Sequence, residues 1–245
     1  MLILAIDTST RAGSIALLRD SQVLAEVAAR EETPYSTRLF RDLELLQSRA
    51  QFRMDQIDVF AVAAGPGSFT GLRVGLTAVK GWAEVHHKPI AAISGLEAIA
   101  AQGYANDGVR ALLGARRIEV VSPFLDARRG HVFGSTYRRG PSESGVLHLV
   151  GEEAILSVEE FLTLVKKNCG TKQAVLVSGT PEVLPPDLVE SILPGARIEQ
   201  VSASLAPSIG RLGFDCANRG DLVDPLGLDA NYIRRSDAEA ARTGA

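Results

Sequence analysis

Cysteine is scarce in this chain. Cys169 and Cys216 are the only two in 245 residues, and neither has a partner at metal-ligand spacing. That usage fits a reducing cytoplasm and two buried free thiols. Histidine is equally thin. His86 and His87 are adjacent, so on a helix they point about 100° apart and cannot share one ion as an i, i+4 pair can. H-x-x-x-H, H-E-x-x-H and C-x-x-C do not occur, and neither do the G-x-S-x-G elbow of hydrolases or a Walker A loop. No nucleophile–base pair stands out, so no residue is assigned a catalytic role and no metal site is expected.

Charge of one sign is also missing. Lys and Arg number 26 against 29 Asp and Glu, a net charge of -3, which argues against a dedicated nucleic-acid binder because phosphate contacts need clustered cations. Four arginine pairs occur, Arg116-Arg117, Arg128-Arg129, Arg138-Arg139 and Arg234-Arg235. Short charge runs of this kind read first as solvated surface. The opening Met1-Leu2-Ile3-Leu4-Ala5-Ile6-Asp7 has no basic leader and meets a charge early, so no signal peptide is expected. No apolar run approaches the ~20 residues of a membrane span. A soluble, cytoplasmic protein is the expectation.

What is present is an ordinary globular composition, 46% apolar and 22% charged, long enough for one large or two small domains. Leu2 to Ile6, Ser14 to Leu18 and Val23 to Ala28 read as three strands joined by short links, which favours an antiparallel meander. Thr33-Pro34 opens a helix, with Thr33 as N-cap and Pro34 at the first helical position. Leu39, Leu43 and Leu46 recur at helical spacing along it, flanked by Phe40. Ile57 to Ala64 is a strand covered on both faces, followed by a second helix over Thr70 to Val85, a strand over Pro89 to Ile93 and a helix over Gly95 to Gln102.

The second half repeats this outline. Val120 to Leu125 runs into Asp126 as Ile3 to Ile6 runs into Asp7, and an alternating strand from Val132 to Tyr137 follows. Later come a helix near Val158 to Lys167, a strand over Ala174 to Val177, a helix over Pro186 to Ile192, a strand over Ile198 to Val201 and a helix over Leu205 to Asn218. A duplicated domain is predicted, with lobes at 1–104 and 105–237 and a tail at 238–245 that lacks apolar residues.

Gly65-Pro66-Gly67-Ser68-Phe69-Thr70-Gly71 joins a strand to a helix, but its G-x-G-x-x-x-G spacing is one residue too long for a dinucleotide fingerprint. Gly65 and Gly67 read as a structural turn. Beyond them, Gly71, Gly75 and Ala78 form a small-residue face that another helix can approach closely. Leu72, Leu76 and Val79 make the opposite face apolar, so the helix needs cover on both sides. Which side meets the chain's own sheet and which meets a partner is left open by periodicity.

Four stretches carry a resemblance: Ile3-Leu4-Ala5-Ile6-Asp7-Thr8-Ser9, Gly65 through Gly75, Leu125-Asp126-Ala127-Arg128-Arg129-Gly130, and Tyr232-Ile233-Arg234. Together they resemble the TsaB family, also called YeaZ, most closely over residues 1 to about 102. The resemblance implies an α/β, duplicated RNase H-like or actin-like fold, each lobe a mixed five-stranded sheet with helices. It implies a non-catalytic scaffold in the threonylcarbamoylation of tRNA adenosine, dimerising with TsaD, helping to recruit TsaE, and meeting tRNA only through the complex. TsaD is a paralogue with a metal-binding H-x-x-x-H pair, whose two positions fall near Gly95 and Ile99 in this sequence.

The family's first two helices pair with those of TsaD or of a second copy. Leu39, Leu43, Leu46, Gly71, Leu72, Gly75, Leu76, Ala78 and Val79 are therefore the expected partner interface. In the actin and hexokinase superfold a strand-end Asp organises Mg²⁺ at nucleotide phosphates. Asp7, Thr8 and Ser9, with Asp126 in the second lobe, are thus a vestigial nucleotide site, with no tightly bound cofactor and at most weak ATP or ADP at a subunit interface. Side-chain hydroxyls capping the turn after Asp7 are the alternative. The rival activities are an ATP-dependent phosphotransferase of the sugar-kinase type and a metallo-enzyme like TsaD.

Overall fold

A computed structural model describes residues 1–28, 35–114, 120–140, 146–231 and 233. Strands β1 (Leu2–Asp7), β2 (Ser14–Arg19) and β3 (Gln22–Ala28) form the meander. Helix α1 (Tyr35–Ala50), β4 (Val59–Gly65), α2 (Phe69–His86) and β5 (Ile90–Ser94) follow. The sheet order is β3-β2-β1-β4-β5, with β1 antiparallel to β2 and parallel to β4. The expected cap at Thr33-Pro34 lies outside the described residues. Leu4, Ile6, Ile15, Leu17, Phe60 and Val62 turn one face of this sheet toward α1 and α2, where they share a core with Leu39, Leu43, Leu46, Leu72, Leu76 and Val79.

Then come α3 (Gly95–Ala105), α4 (Asp107–Gly114), β6 (Val120–Arg128), β7 (His131–Gly134), β8 (Tyr137–Arg139), β9 (Leu147–Leu149) and β10 (Ala154–Ser157). The stretch continues with α5 (Val158–Cys169), β11 (Val175–Ser178), α6 (Pro186–Ile192) and β12 (Arg197–Gln200). The order β10-β7-β6-β11-β12 reproduces the first sheet position for position, meander and parallel pair alike. This sheet has seven strands rather than the expected five, because β8 pairs the start of β6 at Val120 and Val121 and carries β9 outside it. Its core gathers Phe124, Phe161, Leu162, Val165 and Leu176, with the Phe124 and Phe161 rings 5.7 Å apart. Helix α5 starts at a capping box: Ser157 Oγ accepts from the Glu160 amide at 3.2 Å and Glu160 Oε2 from the Ser157 amide at 2.8 Å.

The final helix, α7 (Ala206–Arg219), returns to the first sheet. Gly210 lies against Leu18 and Gly213 against Ala61 and Ala91, on the face away from α1 and α2. Covered on both sides, β1 and β4 are the continuous apolar runs the sequence shows. The compact units accordingly differ from the lobes expected at 1–104 and 105–237. Of the described residues, one unit holds those of 1–95 and those from 204 onward, and the other those of 96–203. Helix α3 goes with the second because Gly103 packs on Val121 and Val177, and the Tyr104 hydroxyl donates to the Tyr137 carbonyl at 2.8 Å. The 238–245 tail lies outside the described residues.

Candidate functional site

Strand β1 ends at Asp7, whose side chain is wholly buried. Its Oδ1 accepts from the Ser9 amide at 2.8 Å and the Ser9 hydroxyl at 2.6 Å, and its Oδ2 from the Thr10 hydroxyl at 3.0 Å. The Thr10 hydroxyl in turn accepts from the Gly13 amide at 3.2 Å. Hydroxyls thus close this turn. Burial raises the Asp7 pKa above its ordinary value, a shift opposed by the Ser9 and Thr10 bonds and by the nearby Arg38 charge.

The glycine turn is packed directly on this one. A cis Gly65-Pro66 bond leads from β4 into it, and Gly65 and Gly67 have φ of 130° and 156°, conformations glycine alone adopts without strain. The Ser68 amide donates to the Ser9 carbonyl at 2.8 Å, and the Asn231 amide to the Ala64 carbonyl at 2.7 Å. Ser68 then caps α2 by accepting from the Gly71 amide at 3.2 Å. A β carbon on Gly67 would overlap the Ser9 carbonyl, on Gly71 the Thr8 carbonyl, and on Gly75 the Thr8 hydroxyl. The small-residue face expected to admit a partner helix is therefore filled by the chain's own β1 turn.

The leucine stripe is corrected in the same way. Leu39, Leu43 and Leu46 are 2%, 7% and 0% exposed, and Leu72, Leu76 and Val79 are likewise buried in the first unit's core. Ala78 is half-buried and packs against that core. Each buried leucine contributes roughly 1.5–3 kcal/mol to folding, and none is free to face a partner. Periodicity located the apolar stripe of α1; the sheet, not another subunit, covers it. The large apolar side chains that remain in solvent on the two helices are Phe40, 62% exposed, Leu45, 40% exposed, and Val85, 72% exposed. Phe40 meets Trp82 edge-on at 6.2 Å, and Trp82 reaches back to Phe60 of β4 at the same distance.

A buried cluster beside Asp7 had no sequence signal. Arg38 is 3% exposed, its guanidinium 3.9 Å over the Tyr35 ring and its Nη1 3.4 Å from Asp42 Oδ2. An i, i+4 pair of this kind is ordinarily a solvent-exposed salt bridge, whereas this one is buried. Burial first, then the Asp7 charge, raises the Tyr35 pKa. Arg38 Nε and Nη2, the Tyr35 hydroxyl and the Thr8 hydroxyl have no hydrogen-bond partner among the described residues.

Asp126, the counterpart of Asp7 in the second unit, is exposed and accepts from the Arg128 amide at 2.7 Å. Arg128, Arg129 and Gly130 carry the turn at positive φ, and His131 Nδ1 lies 3.0 Å from the Arg129 carbonyl. Left-handed backbone costs a non-glycine residue about 1–2 kcal/mol. The two acids thus stand at or near the ends of equivalent strands in different environments, Asp7 sealed and Asp126 in water. Gly95 and Ile99, where the resemblance to TsaD would put a metal pair, lie four apart on α3 and their side chains offer no donor atom. Among the described residues no three His, Cys, Asp or Glu side chains come together as a metal site, and no helix is long and apolar enough to cross a membrane.

Two repeats of a meander followed by two parallel strands, each with an acid at or near the end of its first strand, make this an actin-like duplicated α/β chain. Residues 23–187 match the family model described as TsaD, tRNA N6-adenosine threonylcarbamoyltransferase. A Bacillus subtilis protein named tRNA threonylcarbamoyladenosine biosynthesis protein TsaB is 31% identical over 98% of this chain and 97% of its own. The Escherichia coli protein of that name is 34% identical over 65% of this chain and 64% of its own. The solved structure of YeaZ from Pseudomonas aeruginosa matches with a TM-score of 0.72 at 25% identity, over 94% of this chain and 99% of that one. The chain belongs to the TsaB family.

Proposed function

We propose that this chain acts in the formation of threonylcarbamoyladenosine in tRNA as a subunit without chemistry of its own, holding a TsaD-type partner in its active form. The apolar surface left on α1 and α2 carries this reading: Phe40 stands in water against Trp82, and Leu45 and Val85 are exposed on the same two helices, where an isolated chain gains nothing from exposing them. A partner presenting its own two equivalent helices covers that surface, and a second copy of this chain is the substitute when the partner is missing. TsaE then joins at the edge of the pair, and tRNA is met through the assembly.

The missing donors at Gly95 and Ile99 support a non-catalytic role, because the paralogue's metal cannot be held there. Asp7 supports it too. Its oxygens are engaged within its own turn and shielded from solvent, so it is not presented to a Mg²⁺-nucleotide by the free chain. Any ATP or ADP bound with this chain sits weakly, at the interface with the partner.

Reconstitution of tRNA threonylcarbamoylation with TsaC, TsaD and TsaE, with and without this chain, tests the role. Turnover is expected only with it; equal turnover without it removes the reading. The sugar-kinase alternative requires the isolated chain to bind Mg²⁺-ATP at micromolar concentration and to lose that binding in Asp7→Ala. Calorimetry of the free chain is expected to show neither.

A further inference from the structure

The β6–β7 turn holds arginine at two positions whose backbone favours other residues. Pairing closes at Arg128↔His131 after a register shift between Asp126 and Arg128, and φ is 66° at Arg128, 55° at Arg129 and 74° at Gly130. Among the described residues, nowhere else do two consecutive non-glycine residues take the left-handed conformation. A two-residue loop with positive φ throughout favours Asn-Gly or Asp-Gly, and a bulge residue in that conformation favours glycine. Arginine brings no short polar group to relieve the local backbone. It brings a guanidinium.

Both guanidinium-bearing residues are exposed, and no ion pair to either is seen among the described residues. The acid of the turn, Asp126, is committed to the Arg128 amide. With a net charge of -3, the chain as a whole does not draw in a polyanion, so an anion contact here has to be local. The pair Arg138-Arg139 does not merge with this tip, because Arg138 pairs Val120 at the opposite end of β6.

We propose that Arg128 and Arg129 form a contact for RNA backbone phosphates, holding tRNA against the assembly. The inference rests on the reading that the chain serves a tRNA-modifying complex. Guanidinium groups meet phosphate oxygens with paired N–H donors, and a hairpin tip sets two of them side by side without the broad positive surface of a dedicated binder. Residues kept at a cost to backbone conformation mark places where side-chain function outweighs stability.

The double substitution Arg128→Gly, Arg129→Asn replaces both with the residues the turn favours. Arg138→Ser with Arg139→Ser removes the same charge elsewhere in the unit. Thermal midpoint, partner association and binding of an unmodified tRNA transcript to the assembled complex are measured over a salt series. The tip variant is expected to melt at or above wild type and to keep its partner. Its plot of log affinity against log salt should be shallower by about 1.4–1.8, the share of two phosphates, while the control keeps the wild-type slope. Unchanged RNA binding, an equal loss in the control, a lower melting point or a loss confined to partner association each overturns the proposal. Where wild type is required in the reconstituted reaction and the tip variant binds RNA equally well, this inference alone falls. Where wild type is dispensable, the functional reading falls with it.

Discussion

Gly75 touches Thr8 so closely that the Thr8 hydroxyl occupies the place of a β carbon. One turn earlier on α2, Gly71 stands in the same relation to the Thr8 carbonyl. The helix that follows the glycine turn is seated on the loop that follows the first strand, backbone against backbone.

Gly71→Ala and Gly75→Ala are therefore each expected to destabilise the fold by about 1–3 kcal/mol, as overpacking does. Gly81, on the same helix, has open space around its Cα, and Gly81→Ala is expected to stabilise by about 0.5–1 kcal/mol through helix propensity. Chemical denaturation of the three variants checks both signs. Equal behaviour at all three positions would mean that contact with Thr8 is unimportant.

Leu43 and Phe40 separate folding from association. Leu43 lies in the core and Phe40 in solvent, although both are apolar residues of α1. Leu43→Glu places an unpaired charge in the core and is expected to lose cooperative unfolding. Phe40→Glu is expected to keep the circular dichroism and melting profile of wild type while weakening partner association at least tenfold. Light scattering and titration with the partner give the readout, and an unfolded Phe40→Glu or a fully folded Leu43→Glu contradicts this assignment of the helix faces.

Asp7 makes stability depend on pH. Its pKa in the folded chain is raised above the ordinary 3.8, so the folded state binds the proton more tightly than the unfolded chain. Its contribution is complete below that ordinary value and is lost as pH rises through the folded pKa. In Asp7→Asn, the amide oxygen can keep the two Ser9 bonds and the amide nitrogen can donate to Thr10. The variant is expected to melt at or above wild type at pH 8, with the advantage shrinking toward pH 4. Asp7→Ala leaves the buried Ser9 amide unpaired and is expected to cost about 1–3 kcal/mol. A penalty in Asp7→Asn that does not vary with pH would count against the raised pKa.

Arg38 and Asp42 should behave as a unit. Removing Arg38 alone leaves a half-sealed carboxylate, whereas replacing both removes two groups whose desolvation opposes their attraction. Arg38→Met is expected to lose more stability than Arg38→Met with Asp42→Leu. A double-mutant cycle measures the coupling, and strictly additive losses would show that the pair is not energetically joined.

The order of elements was legible because each carries a local pattern. The uninterrupted apolar runs of β1 and β4 and the leucine stripe of α1 report burial that a few neighbouring residues decide. Duplication was legible for the same reason, since Asp7 and Asp126 each follow a similar apolar run. Helix α4 and strands β8, β9 and β10 were not, being short and held mainly by their neighbours.

Local pattern states that a residue is buried, and it cannot state by what. Leu39, Leu43 and Leu46 form a stripe whether a sheet or a partner covers them, and Gly71 and Gly75 allow close approach whether a helix or a loop approaches. The contacts that decide between these run from α2 to Thr8, from α1 to the sheet, and from α7 back across residues about 120 to 200 positions earlier in the chain. Such separations leave no periodicity to read. Strand, helix and turn were written in adjacent residues, while the destination of each face, the sealing of Asp7 and the exposure of Phe40 followed only from packing distant segments together.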